Sequence, residues 1–338
     1  MRIDQIDYAK DMNFQGRAYY NYMRMNWVED PTLSIEPWQI EDYRVMALDT
    51  LFEKLEDLGF SIDKHSFMEE AARVDSPEEL ALVLSGETEE DKRVEGQIYL
   101  IVFELWRRLL PERLSLSIFC DEVDYLIYVY DHSESVDNEA IEDMIANLQM
   151  FLDENCDEGI KPEEAFKAIQ SYCANDVEGF LADYISEQLD AGNDVYATEL
   201  LEGFFRYVPV SKWFELLHAR ALAASGAEEE AMELVKQLIK RLKHEDAAFN
   251  FELLSFLVRY GDEDSFKQVV KHTIPLLERE DDFRCLLSYC ADFYHRLDRE
   301  AVEKAIVAIV EQRKGISLDK SLASNDPGFS VLIKQLSS

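Results

Sequence analysis

The sequence predicts an all-α protein, and composition and periodicity are the observations that carry this prediction. Among 338 residues there are only 12 glycines and 8 prolines, which leaves few of the turns that an all-β fold needs. Helix formers dominate, and apolar residues recur at steps of three and four over most of the chain. Because 47% of the residues are hydrophobic and 12% are aromatic, the chain can bury a core and is not a disordered acidic tail.

Residues 1–135 are predicted to form an N-terminal helical domain of unrecognised type. An apolar stripe begins after Pro37 and stops at Gly59, a residue type that commonly follows a helix C-terminus. Two further stripes at helical spacing occupy residues 98–109 and 118–130. The polar segment after the last stripe is the best domain boundary in the chain.

Local signals refine two places in this first domain. Ser76, Pro77 and Glu79 supply a helix N-cap, a first-turn proline and a capping-box carboxylate, so a helix is expected to start there. A short strand is the alternative for one stretch in which apolar residues alternate with serines, Leu114, Leu116 and Ile118.

Residues 136–314 repeat with a period of about 35 residues. Gly192, Gly226 and Gly261 lie in small polar turns and are spaced 34 and 35 residues apart. Positions five, nine and thirteen residues after each glycine are apolar, and steps of four place them on one face of the following helix. They are Ala197, Leu201, Phe205, Ala231, Val235, Ile239, Phe266, Val270 and Ile274. This repetition predicts a stacked array of helix pairs.

The glycine spacing, the apolar helix face and Pro209 at the end of a second helix resemble the tetratricopeptide repeat. The pattern is degenerate, because Ile185 and Leu254 stand where that family has a small residue, and Arg296 replaces the fourth turn glycine. The resemblance implies an α-α superhelix with the N-terminal helical domain packed on it. Residues 315–338 would then be a capping helix or a tail, with an apolar stripe of Phe329, Leu332, Ile333 and Leu336.

In such a superhelix, the first helix of each pair lines a concave surface that holds a peptide or a partner helix. Two consecutive first helices are expected to supply this partner-binding surface, although some of their side chains must belong to the core. The candidate residues are Trp213, Leu216, Leu217, Arg220, Phe249 and Phe251.

The net charge of −36 bears directly on the choice of partner. It is uneven, since residues 136–210 alone carry −15 and no lysine or arginine lies between Arg113 and Lys161. Such a surface repels phosphate backbones, so no nucleic-acid partner is expected. It favours another protein with a basic segment, or cations, although a solvated face that only aids solubility is the alternative. The junction between the N-terminal domain and the first repeats is the expected binding region.

A segment at residues 153–164 resembles the calcium loop of an EF-hand. Asp153, Asn155, Asp157 and Glu164 occupy four of its oxygen-ligand positions, which makes calcium the one cofactor to consider. Glu158 stands where that loop has a glycine for its sharp turn. The alternative is an acidic turn between two helices of the array.

Other chemistry is not indicated. The sequence has no nucleophile elbow, no dinucleotide fingerprint and no phosphate loop, so no enzymatic activity is expected. Charged residues interrupt the first 24 positions, the apolar stretches are too short to cross a bilayer, and five cysteines form no paired framework. A cytoplasmic protein with reduced thiols is expected.

Taken as a whole, the sequence predicts a non-catalytic protein–protein interaction module, an adaptor, scaffold or chaperone, that binds a peptide or a basic partner. A calcium-responsive helical protein and an all-helical enzyme with no recognisable motif are the two alternatives.

Overall fold

The computed structural model of the chain describes residues 14–86, 92–132, 137–242 and 246–336. Within these ranges the regular structure is eighteen α-helices and two short 3-10 helices with no β-strand, which confirms the all-α prediction. The α-helices are α1 (Ala18–Glu29), α2 (Pro37–Ile40), α3 (Leu48–Asp57), α4 (Lys64–Ala71), α5 (Pro77–Ser85), α6 (Lys92–Leu109), α7 (Leu116–His132), α8 (Asn138–Asp157), α9 (Pro162–Tyr172), α10 (Val177–Asp190), α11 (Asp194–Phe205), α12 (Lys212–Ala224), α13 (Glu228–Arg241), α14 (Ala247–Tyr260), α15 (Glu263–Thr273), α16 (Glu280–Arg296), α17 (Glu300–Arg313) and α18 (Pro327–Leu336).

The chain divides into two compact units, residues 1–181 (unit 1) and 182–338 (unit 2). The division falls inside α10. The boundary predicted at 135/136 from the polar segment lies outside the described residues and stays a prediction. None of the helices in the described ranges has the length and apolar character needed to cross a membrane.

In unit 1, α2 and α3 replace the single helix predicted between Pro37 and Gly59. A 3-10 turn at Tyr43–Val45 separates them, and the Arg108 guanidinium on α6 donates to three carbonyl oxygens around this turn. They belong to Tyr43, Arg44 and Met46 and lie 2.9, 2.5 and 2.6 Å from the donor nitrogens. A continuous helix would use these oxygens for its own hydrogen bonds, so the prediction of one helix was wrong. Gly59, with φ of +94°, follows α3 as predicted.

The structure tests two local predictions, the helix start at residues 76–79 and the strand alternative at residues 114–118. Ser76 Oγ accepts a hydrogen bond from the Glu79 backbone N–H at 3.2 Å, and Pro77 is the first residue of α5, as predicted. The Glu79 carboxylate, however, accepts from the backbone N–H of Asp75 at 2.8 Å, one residue before the cap. Leu116 begins α7, so the helix was the correct alternative over the strand.

The core of unit 1 is built around α6, which α2, α3 and α5 contact. Its fully buried apolar side chains are Ile98, Leu100, Ile101, Val102, Phe103, Leu105 and Trp106. Gly96 sits inside this helix because two aromatic residues approach its backbone closely. A Cβ atom there would lie 2.6 Å from the Trp38 ring and 2.7 Å from the Tyr20 hydroxyl.

A buried carboxylate ties α7 to the segment before α10. Asp124 accepts hydrogen bonds from the backbone N–H groups of Ala174 and Asn175 and from the Asn175 and Asn21 side-chain amides, at 2.8 to 3.1 Å. Burial raises the pKa of Asp124 to about 6, although the hydrogen bonds from Asn175 and Ala174 act in the opposite direction. Buried Asp121 behaves differently, since the charges of Arg17 and Arg44 outweigh its burial and lower its pKa.

Asp124→Asn is expected to change how stability depends on pH. An Asp124 pKa near 6 in the folded chain, against an ordinary value of 3.8, means that the native state takes up the proton first as the pH falls. As the pH falls from 7 to 5, the free energy of unfolding of wild type should therefore rise by about 1 kcal/mol relative to that of the variant. Urea unfolding of both proteins at the two pH values measures this gain. If the two proteins differ in free energy of unfolding by the same amount at both pH values, Asp124 is still ionised at pH 5.

Unit 2 consists of helix pairs whose members contact each other and the next pair along the chain. Within pairs, α12 contacts α13, α14 contacts α15 and α16 contacts α17. Between pairs, the first helices meet (α12 with α14, α14 with α16), and the second helices α13 and α15 meet as well. One hydrophobic cluster runs through α12 to α18.

Four turns between paired helices were predicted, and at two of them the structure has a glycine with a positive φ. Gly192 and Gly226 have φ of +78° and +89°, a backbone conformation that favours glycine. Gly261 has φ of −75°, so its turn does not use that conformation. Arg296 stays helical, and its guanidinium donates to the Gly261 carbonyl oxygen at 2.5 Å. The corresponding turn comes two residues later, at Asp298 with φ of +54°.

The C-terminal helix α18 packs against α17 and buries Phe329, Leu332 and Leu336. A charged network holds the same region, because Arg313 at the end of α17 binds both Glu280 and Asp326. Glu280 is the first residue of α16, so one guanidinium connects three parts of unit 2.

Candidate functional site

A groove in unit 2 lies across three first helices, α10, α12 and α14. Its volume is about 290 Å³. The lining side chains are Ala182, Asp183, Ser186, Trp213, Leu216, Leu217, Arg220, Ala248, Phe251 and Glu252. We call this cavity the unit 2 groove. It presents apolar and aromatic groups beside carboxylates.

Five of the six residues predicted to bind a partner line the unit 2 groove, namely Trp213, Leu216, Leu217, Arg220 and Phe251. Leu216 and Leu217 are themselves almost fully buried, at 2% and 4% exposed, and the sixth residue, Phe249, is 1% exposed and belongs to the core. Its ring meets the Trp213 ring edge to face, with centroids 5.1 Å apart. Phe249 therefore supports the groove wall from below and is not available to a ligand.

The arginine of the groove is already engaged. Its Nη1 donates to Ser186 Oγ and its Nη2 to Asp190 Oδ1, both at 2.6 Å. This pairing offsets the charge of Arg220 and orients its guanidinium along α10. Asp183 and Glu252 are exposed at the groove, so two carboxylates belong to this surface.

An aromatic strip continues from the groove onto the next first helix. The rings of Phe251 on α14 and Tyr289 on α16 have centroids 6.1 Å apart. Burial raises the pKa of the Tyr289 hydroxyl, and nearby Cys285, Glu252 and Asp292 raise it further. The acidic and aromatic character of the groove thus extends to the exposed Cys285 thiol.

Sequence reasoning missed Tyr289 and the residues of α10. The signal for Tyr289 was present, since Trp213, Phe251 and Tyr289 are each 38 residues apart. This spacing exceeds the repeat period, so the three aromatics occupy the second, fifth and tenth positions of α12, α14 and α16. The strip therefore crosses the helices obliquely, and comparison of equivalent repeat positions does not find it.

The residues considered for calcium do not form a loop. Asp153, Asn155 and Asp157 lie in the last turns of α8, where helical geometry points Asn155 away from the other two. The Asn155 side-chain amide donates to the Phe151 carbonyl oxygen at 2.8 Å, and Glu164 pairs with Lys161 at 3.0 Å. Across the described ranges, no group of three or more His, Cys, Asp or Glu residues is placed to hold a metal ion. The segment matches the alternative, an acidic turn between two helices.

Comparisons with known proteins add no relative. No family model matches the chain, and no curated protein or solved structure is significantly similar to it. A function for this chain must therefore be inferred from its own residues.

Proposed function

We propose that the chain is a non-catalytic protein–protein interaction module, an adaptor, scaffold or chaperone, and that it binds a basic peptide segment of another protein through the unit 2 groove. The observation that carries this proposal is the convergence of the partly exposed rings of Trp213 and Phe251 with the exposed carboxylates of Asp183 and Glu252 on one surface. Apolar side chains of the peptide would fill the groove, while its lysines or arginines would pair with the carboxylates beside it.

The spacing of the helices favours an extended peptide. Neighbouring packed helices lie about 8–10 Å apart, so the four first helices from α10 to α16 cover roughly 30 Å. An extended chain of about nine residues spans that distance at about 3.3 Å per residue. Alternating side chains of such a strand would point toward and away from the aromatic strip.

The wider setting of the module is part of the same proposal. The pairwise packing of α12 to α17 supports a tetratricopeptide-like superhelix, in which first helices line the binding face. All five cysteines are free, which supports a location in the reducing cytoplasm. No observation in the described ranges favours the calcium-responsive or the enzymatic alternative, and neither is proposed.

Binding of a designed peptide tests this function. The probe is a fluorescein-labelled peptide of about nine residues in which lysine alternates with phenylalanine or leucine. Fluorescence anisotropy should show saturable binding that weakens about tenfold or more when NaCl rises from about 0.05 M to about 0.5 M. The same peptide with glutamate in place of lysine should not bind.

Matched variants locate the site. Glu252→Lys should weaken binding about tenfold, while Glu229→Lys, the same charge change at an exposed position on α13, should have little effect. Trp213→Ala should weaken it more, by about thirtyfold, as expected for a central aromatic anchor. The bound peptide should also slow the reaction of Cys285 with a thiol reagent in a Cys156→Ser background. Equal losses in Glu252→Lys and Glu229→Lys, with Cys285 unprotected, would contradict the proposal.

A further inference from the structure

A second groove lies in unit 1, between the end of α6 and the facing sides of α7 and α8. Its volume is about 420 Å³. We call it the unit 1 groove. Nine of its thirteen lining side chains are apolar, among them Leu110, Leu114, Ile118, Phe119 and Leu126. Leu114 is 72% exposed, and Leu110, Phe119 and Leu126 are partly exposed, so apolar side chains of the groove face solvent.

The shape of this surface suits a helix. The α7 residues along the groove run from Ile118 to Leu126, and those of α8 run from Ala140 to Asn147. Each set covers about two turns, or about 12 Å. An amphipathic helix laid along such a channel places two or three apolar side chains at i, i+3 or i+4, and i+7 against it.

The charges around the groove are negative. Its one basic residue, Arg107, is paired with buried Glu104 at 2.6 Å, and Glu122 is paired with Arg44 at 3.0 Å. Asp143 is exposed. In the sequence, the stretch 114–160 contains thirteen Asp and Glu residues and no lysine or arginine. A partner whose apolar stripe is flanked by basic residues complements both the groove and its surroundings.

Two other occupants fit the charge less well. A second copy of the chain carries its own net charge of −36, so pairing of two such surfaces would be repulsive. Residues 1–13 of the chain contain Arg2 and Lys10 but also three aspartates, and therefore do not form a basic segment.

We infer that the unit 1 groove is a second docking surface, which binds a basic amphipathic α-helix of a partner protein. The helix lays its apolar face along α7 and α8, and its lysines or arginines face the carboxylates of this acidic region. This surface uses no residue of the unit 2 groove.

The test uses a synthetic helix and matched charge reversals. The probe is a fluorescein-labelled lysine–leucine peptide with leucines at i, i+3, i+4 and i+7, compared with a peptide of the same composition in scrambled order. Fluorescence anisotropy should show binding of the striped peptide and at least about tenfold weaker binding of the scrambled one. Asp143→Lys should weaken binding about tenfold, whereas Glu142→Lys, an exposed neighbour outside the groove, should change it by no more than about twofold.

Four further measurements make the outcome decisive. Leu114→Ser should weaken binding about threefold or more, and circular dichroism should show that this exposed substitution leaves the fold intact. Trp213→Ala should leave binding of the striped peptide unchanged, which separates this surface from the unit 2 groove. Equal binding of the two peptides, or equal losses in Asp143→Lys and Glu142→Lys, would reduce the interaction to general charge attraction and overturn the inference. Self-association of the free chain in sedimentation experiments, abolished by Leu114→Ser, would instead assign the groove to a second copy.

Discussion

Glu280→Ala is expected to destabilise the protein by roughly 3–5 kcal/mol, because it leaves two arginines without their shared buried partner. The Glu280 side chain is fully buried. Its carboxylate accepts hydrogen bonds from Arg313 Nε at 2.9 Å and from Arg284 Nε at 3.1 Å. The Arg313 guanidinium also lies 4.8 Å from the centre of the Phe283 ring and binds Asp326 at 2.8 Å, so the loss should spread to α18.

Thermal unfolding followed by circular dichroism measures this effect, with an expected fall in Tm of about 10 °C for a unit of this size. Glu300→Ala is the matched control, since that glutamate is 76% exposed and pairs with Lys304 at the surface. It should change stability by no more than about 0.5 kcal/mol. A Glu280→Ala variant as stable as this control would show that the network contributes little.

The pH dependence of the same variant has a definite sign. Burial alone would raise the pKa of Glu280, but the hydrogen bonds from Arg313 and Arg284 outweigh it and hold the pKa below 4.5. The ionised carboxylate therefore stabilises the folded chain above pH 4.5, and this contribution is lost as the pH falls through the lowered value. The stability difference between wild type and Glu280→Ala should narrow accordingly in acid.

Trp106→Ala is expected to cost about 3–5 kcal/mol in unit 1, through loss of a large buried side chain and the cavity left behind. The indole is fully buried, and its N–H donates to the Arg113 carbonyl oxygen at 2.9 Å. The Arg113 guanidinium lies 4.8 Å from the indole ring and donates to the carbonyl oxygens of Ala71 and Val74. The substitution would therefore also loosen the end of α4.

Urea unfolding of Trp106→Ala and two companions separates these contributions. Trp106→Phe keeps most of the apolar volume and loses the hydrogen bond, so it should fall between wild type and the alanine variant. Val45→Ala, at a side chain that is 79% exposed, should be nearly neutral. A similar loss in the phenylalanine and alanine variants would assign the effect to the hydrogen bond and not to packing.

The sequence was most informative where a local rule has a single physical solution. Ser76 and Pro77 start a helix because a hydroxyl acceptor and a missing N–H suit a first turn, and Gly59 follows one because its positive φ favours glycine. The periodic apolar faces likewise placed Trp213 and Leu217 on a first helix beside the groove. These signals depend on residues that are close together in the sequence.

Prediction failed where a distant side chain decided the outcome. The break after α2 is set by Arg108, which is more than sixty residues away in sequence. Phe249 and Phe251 cannot be distinguished in the sequence. In the structure Phe249 packs against Trp213 in the core, whereas Phe251 lines the groove. The oblique aromatic strip that ends at Tyr289 depends on how far successive helices shift along one another, which a repeat period does not report.

The turns at Gly192 and Gly226 have a practical consequence. Both backbones take the left-handed conformation, and a Cβ atom placed on either glycine would meet no atom within 4 Å. Extra chain inserted at these positions would therefore displace no packed side chain. A fluorescent protein or an epitope joined there through flexible linkers would give a reporter inside the helical array, with both termini of the protein left untouched.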